Sequence, residues 1–144
     1  AVANQAKKKK REKVLELYII DRKRIMVDIE REEYCDRPWG NYEVLKREAG
    51  MWVKRIEIKP KARFSLQKHS QRSEHWVVVR GKGVVTCGSK KIAVFAGDSV
   101  DIPCGKKHRI ENKTSTPLVF IEIALGKRLS EDDIIRFEDD YGRA

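Results

Sequence analysis

Between Tyr42 and Ala124 apolar and polar residues alternate in short runs, and Gly, Pro, Asn or Ser marks most of the boundaries. The runs are YEVLKR (42–47), WVKRIEI (52–58), RFSLQ (63–67), HWVVV (75–79), GVVTC (83–87), KIAVF (91–95), SVDI (99–102), HRIEN (108–112) and LVFIEIA (118–124). A period of two, bounded by turn formers, predicts half-buried strands, and so many in succession predict an all-β sandwich or barrel. Upstream the period changes. Val14, Leu17 and Tyr18 are spaced i, i+3, i+4 within a Lys- and Glu-rich stretch, which predicts a helix over residues 5–18. Residues 19–36 alternate Ile25, Val27 and Ile29 with Met26 and Asp28, a strand or extended linker that RPWG (37–40) interrupts. After Gly126 the tail RLSEDDIIRFEDDYGRA predicts a short C-terminal helix. Ser130 would cap it, and Glu131, Asp132 and Asp133 would complement its positive end. The organisation expected is an N-terminal helical extension and linker over 1–36 and a barrel over 37–144.

The 144 residues suit one domain with enough core to fold without disulfides or a structural metal. No apolar run approaches the ~18–20 residues needed to span a bilayer. The start, AVANQAKKKKREK, lacks the apolar stretch of a secretory signal. Three cysteines, odd in number and without CxxC spacing, predict reduced thiols in a cytoplasmic protein. Lys and Arg number 32 against 22 acids, a formal charge of +10. No zinc-finger, RNP-like or helix-turn-helix pattern accompanies the charge, so no nucleic-acid partner is expected. A phosphorylated metabolite explains the surplus as well.

Two stretches carry candidate chemistry: KARFSLQKHSQRSEHWVVVRG (61–81) and GDSVDIPCGKKHRIEN (97–112). Gln67 and His69 share a strand face, Glu74 opens the next strand, and the PCG turn introduces a strand carrying His108. Such a mixed nitrogen and oxygen set, with positions left open, suits a divalent metal used for chemistry. By parity Arg63 faces the same way as Gln67 and His69, and Lys54 the same way as Ile56 and Ile58. Inward cations need an anion, so both are candidates for a substrate phosphate, with a rim salt bridge as the alternative. Glu74 and His75 are the candidates for proton transfer, although neighbours on a strand point to opposite faces. Trp39, Trp52 and Trp76 could stack on a sugar ring or fill the core. Cys87 and Cys104 read as inert thiols.

The spacing resembles the two signature motifs of the cupin superfamily. The first, G-x5-HxH-x4-E-x6-G, is matched by Lys61, Gln67-x-His69, Glu74 and Gly81. The second, G-x5-PxG-x2-H-x3-N, is matched by Gly97, Pro103, Gly105, His108 and Asn112. RPWGNYEVL (37–45), VKRIEIKP (53–60), the SLQ and EHWVVV block and EDDIIRFEDDYGR (131–143) are similar to the type II phosphomannose isomerase domain. In that family it forms the C-terminal half of bifunctional mannose-6-phosphate isomerase/mannose-1-phosphate guanylyltransferases. The resemblance implies a double-stranded β-helix (jelly-roll) barrel that pairs as a homodimer. It also implies a metal held by Gln67, His69, Glu74 and His108, with zinc the first candidate and iron, manganese and nickel the alternatives. Isomerisation of mannose 6-phosphate to fructose 6-phosphate would follow. Arg72 and Arg136, the latter in the family's tail segment, join Lys54 and Arg63 as substrate-binding candidates. The nucleotidyltransferase segments are absent, so guanylyl transfer by this chain alone is not expected. Two departures stand out: Lys61 replaces the motif Gly, and Ser70 and Gln71 stand where the family carries histidines. The second favours the alternative, a non-catalytic cupin domain that binds a sugar phosphate or serves dimerisation as part of a mannose-1-phosphate guanylyltransferase.

Overall fold

The computed structural model describes residues 33–144, which form eleven strands. They are β1 (Glu33–Arg37), β2 (Gly40–Glu48), β3 (Met51–Ile58), β4 (Leu66–Lys68), β5 (Ser73–Arg80), β6 (Lys82–Cys87), β7 (Lys90–Phe95), β8 (Ser99–Ile102), β9 (His108–Glu111), β10 (Leu118–Leu125) and β11 (Ile135–Glu138). All pairings are antiparallel, in a six-stranded sheet ordered β1-β2-β3-β10-β5-β8 and a five-stranded sheet ordered β11-β4-β9-β6-β7. The expected helix over residues 5–18 and most of the segment 19–36 lie outside the described residues. Sheet pairing begins at Glu33, ahead of the expected boundary at residue 37.

Alternation builds the interior. In β3, Trp52, Lys54, Ile56 and Ile58 are buried while the residues between them are half-exposed; in β5, Glu74, Trp76 and Val78 do the same. Trp76, Phe120 and Ile58 of one sheet pack in one cluster with Val85, Val94 and Ile110 of the other. Phe64, just before β4, meets Trp39, Trp76 and Phe120 edge-on at centroid distances of 4.5, 6.0 and 6.1 Å. All three tryptophans are buried. Core and inward polar residues meet in one cavity, where Trp39, Ile56 and Phe64 stand beside Lys54, Glu74 and Glu122.

The loops explain several motif positions. Gly81 has φ +85°, and a Cβ there would lie 2.7 Å from the Pro117 carbonyl oxygen, so only glycine fits the turn. Buried Asn112 reaches the carbonyls of Ile58, Lys59 and Thr116 with its amide nitrogen, and its oxygen accepts from Thr114. Its role is to fasten two loops. Lys61, at the position of the motif Gly, has φ 62° and is the one non-glycine residue in the left-handed region among those described.

Two expectations about the backbone fail. The C-terminal helix does not form. Ser130 does accept the amides of Asp132 and Asp133, with its hydroxyl and carbonyl oxygens respectively. The Asp133 carboxylate, however, is taken by the β4–β5 loop, and Ile135 and Phe137 belong to a strand that pairs with β4. β-branched and aromatic residues next to an open sheet edge gain more from pairing than from a single helical turn. The parity drawn through residue 63 also fails. Regular pairing in this strand covers only 66–68, and Phe64 and Ser65 are both buried, so alternation is broken between Arg63 and Gln67.

Candidate metal centre

Strand register brings the polar interior together. Gln67 on β4 lies opposite His108 on β9, and Glu122 on β10 lies between Lys54 on β3 and Trp76 on β5. His69 follows β4 and Glu74 lies in β5. His69, Glu74 and His108 each offer one ligand atom, and these atoms all lie within 4.8 Å of one another. His69 Nε2 is 3.1 Å from one Glu74 oxygen, and His108 Nε2 is 3.5 Å from the other. All three residues are buried.

The far side of each imidazole fixes what the near side can do. His69 Nδ1 is 2.6 Å from the Asp133 carbonyl oxygen, and His108 Nδ1 is 2.9 Å from that of Lys106. A carbonyl only accepts, so both Nδ1 atoms carry hydrogen and both Nε2 atoms turn inward. Two Nε2 atoms facing one carboxylate are a donor set that one divalent cation could share. His108 Nε2, buried and without a hydrogen-bond partner, is placed for it. Backbone carbonyls that orient metal-binding imidazoles are the usual outer support of such sites. Gln67 is buried in the same cavity wall, its amide oxygen accepting from Ser65 Oγ at 2.8 Å. His69, Glu74 and His108, with Gln67 beside them, could therefore hold a divalent metal.

Arg72 braces this group. Its Nε donates to Glu74 at 2.8 Å, one terminal nitrogen to the Ser130 carbonyl at 2.9 Å, and the other lies 3.3 Å from His69 Nε2. Burial alone would raise the Glu74 carboxyl, but the two imidazoles facing it hold it well below the usual range. Glu74 stays ionised, as a ligand should.

The other candidates separate. Lys54 does face inward and is buried, but its ammonium pairs with Glu131 and sits 4.4 Å from the centroid of the Tyr42 ring. Arg63 is not in the cavity. It forms a two-pronged pair with Asp140 at 2.7 and 2.9 Å, the rim salt bridge named as the alternative. His75 is a second correction: it points away from Glu74 to the outer face, where its Nδ1 lies 2.5 Å from Asp101. Period-two geometry puts these neighbours on opposite faces of β5. Arg136 does line the cavity mouth, and its Nε is buried without a partner. Cys35, Cys87 and Cys104 are free thiols.

Three residues escaped sequence reasoning. Glu122 is 5% exposed and lines the cavity with Glu74 and Lys54. Burial, and then the charge of Glu74, push its carboxyl up to about 8. A signal existed: a lone acid in LVFIEIA at the parity of Phe120 and Ala124 has to face inward. Asp133 and Glu131 gave no such signal, because their partners lie more than sixty residues away.

Comparison with known proteins places the chain in a family and a fold. The family described as "Mannose-6-phosphate isomerase C-terminal" matches residues 23–139. The xanthan biosynthesis protein XanB of Xanthomonas campestris pv. campestris (strain B100) is 47% identical over 107 residues, covering 74% of this chain and 23% of that protein. The alginate biosynthesis protein AlgA of Pseudomonas aeruginosa is 44% identical over 116 residues, covering 79% and 24%. A mannose-1-phosphate guanylyltransferase of Escherichia coli is 44% identical over 113 residues, covering 78% and 24%. The chain thus spans about a quarter of the length of the curated relatives it matches. Among solved structures, a cupin-2 domain from Rhodospirillum rubrum has a TM-score of 0.59 at 20% identity, covering 70% of this chain and 76% of that one. The capsular polysaccharide assembling protein CapF of Staphylococcus aureus has a TM-score of 0.65 at 24% identity, covering 75% and 34%. The likeness to the cupin-2 domain shows the cupin fold.

Proposed function

The chain belongs to the mannose-6-phosphate isomerase C-terminal family, and we propose that it interconverts mannose 6-phosphate and fructose 6-phosphate at the His69–Glu74–His108 centre. The observation that carries this reading is a buried, pre-oriented His69–Glu74–His108 cluster whose Glu74 lines one cavity with a second buried carboxyl, Glu122. A divalent cation, zinc first among the candidates, would polarise the sugar's carbonyl and hydroxyl oxygens and stabilise the negative charge that develops there.

The proton work falls to the protein. Going from aldose to ketose, C2 loses a proton, C1 gains one, and a hydroxyl proton passes from O2 to O1. Glu122 is the group suited to the carbon-to-carbon transfer. A general base works best when it titrates near the operating pH, and Glu122 does while Glu74 is held far below. Glu74 is also committed to Arg72 and the two imidazoles. Glu122 therefore takes the C2 proton and returns it to C1, and Lys54, across the strand pair, supports its ionised form.

A second reading is a cupin that binds a sugar phosphate without turnover. It is favoured by Ser70 and Gln71, which bond to Asp133 where the family carries imidazoles. The test is a coupled assay of fructose 6-phosphate formation, with metal analysis, on the wild type, His108→Ala and Glu122→Gln. Turnover in the wild type, lost with metal in His108→Ala and without loss of metal in Glu122→Gln, supports isomerase chemistry. A fully metallated wild type without turnover supports the second reading.

A further inference from the structure

We propose that Arg37, Arg136 and Arg143 form a phosphate-binding site at the mouth of the metal cavity. The proposal rests on the isomerase reading only for the sugar attached to that phosphate; the anion site itself stands on the geometry below.

Two segments far apart in sequence meet here: RPWG supplies Arg37, and RFEDDYGR supplies Arg136 and Arg143. All three guanidinium groups line a depression of about 460 Å³. The same three line the inner cavity with Gln67 and Glu74, so the depression is its outer continuation. A ligand could place its anionic end here and its reacting end at the metal centre.

The charges around Arg136 are unbalanced. Its side chain has no hydrogen bond or ion pair to any described residue, and its Nε is buried without a partner. Its guanidinium is held below the ordinary arginine value first by burial and then by the positive charges of Arg143 and Arg37. Asp139 is the one acid that opposes them. That acid is already engaged: Arg143 binds it through its backbone amide, Nε and a terminal nitrogen, at 2.6, 3.0 and 2.6 Å. Arg37 bonds only to the Tyr42 hydroxyl, at 3.4 Å. Asp36, Glu131 and Asp132 stand on the rim, but Glu131 pairs with Lys54 and none of the three is bonded to Arg136. Among the described residues, Asp139 is the one carboxylate bonded to any of the three guanidinium groups.

Packing like charges together without an anion is unfavourable, and a tetrahedral dianion would relieve it while accepting planar, forked donors from several sides. The earlier phosphate candidates lack this freedom. Lys54 is committed to Glu131, Arg63 to Asp140 and Arg72 to Glu74. The ligand class is a phosphate monoester.

The test is calorimetric titration of the full chain with inorganic phosphate, and then with mannose 6-phosphate and mannose, in metal-loaded and metal-stripped protein. Arg136→Met and Arg37→Met keep the apolar stems, and Arg63→Met is the control. The expected result is that phosphate binds with or without metal and weakens with salt. Each of the two site variants should lose about tenfold or more in phosphate affinity, since each removes a charge-assisted bond, while Arg63→Met is unchanged. Should Arg136→Met fail to fold, Arg37→Met decides, because its side chain is only partly buried. Phosphate binding that is absent from the wild type, or unchanged in both site variants, overturns the proposal. Phosphate binding with no isomerase turnover in metallated protein leaves the site standing and overturns the isomerase reading instead.

Discussion

His69 and Asp133 are joined twice. The imidazole Nδ1 donates to the Asp133 carbonyl at 2.6 Å, and the loop that follows His69 grips the Asp133 carboxylate. That grip consists of the backbone amides of Ser70 and Gln71, both at 2.9 Å, and the Ser70 hydroxyl at 2.7 Å. Ser70 and Gln71 thus tie the C-terminal segment to the loop that follows His69.

Asp133→Ala should therefore act on both stability and metal. Losing this cluster of bonds should cost about 1–3 kcal/mol, and loosening the His69 support should weaken metal affinity by about tenfold. Burial would raise the Asp133 carboxyl, but the bonds from Ser70 and Gln71 hold it below its ordinary 3.8. Its stabilisation is accordingly full above that value and lost as pH falls through the lower, folded-state value. Urea melts at neutral and acidic pH check this: the gap between wild type and Asp133→Ala should close on acidification.

Glu122 gives the opposite pH signature. Its carboxyl titrates near 8 in the folded protein and near 4.5 when free, so between those values the folded state holds a proton that the unfolded chain has released. Metal-free protein should lose stability as pH rises through that window, and Glu122→Gln should flatten the slope. In metallated protein the same variant should lower turnover by about a hundredfold or more. A slope unchanged by the substitution would assign the titration to another group.

Lys61→Gly should stabilise the chain. A left-handed side-chain-bearing residue costs about 1–2 kcal/mol, and glycine's extra freedom in the unfolded chain returns about half of that. The Lys61 ammonium also donates to the Lys113 carbonyl at 2.6 Å, an exposed bond whose loss trims the gain further. A small rise in melting temperature is expected, with metal content and turnover untouched. A fall would mean that the Lys113 contact outweighs the backbone strain.

His108→Ala separates folding from ligation. Metal that binds only the folded state raises the melting temperature of the wild type in proportion to the logarithm of its concentration. That shift should vanish in His108→Ala. Thermal scans across a metal titration check this, and a retained shift would place the metal elsewhere.

Much of the barrel and the His69–Glu74–His108 cluster was legible because both follow local rules. Alternation fixed the faces of β3 and β5, and the motif spacing picked out His69, Glu74 and His108 before any register was known. What failed depended on distant partners. Arg63 departs from parity because the strand is regular only from Leu66 onward, and Asp140 draws it to the rim. Residues 130–133 carry a sound helix-start signal, yet the waiting edge of β4 and the Ser70–Gln71 amides claim that segment instead. His75 was placed on the outer face by alternation, and its imidazole beside Glu74 in sequence has no counterpart in space.

The central claim is that this chain performs aldose–ketose isomerisation through the His69–Glu74–His108 centre. The most direct measurement is fructose 6-phosphate formation from mannose 6-phosphate by chelator-stripped protein to which zinc, iron, manganese or nickel is added back in steps. Turnover absent from the stripped protein and rising with bound metal to a plateau at one ion per chain is the predicted result. One ion bound per chain with no turnover, for every metal tried, would contradict it.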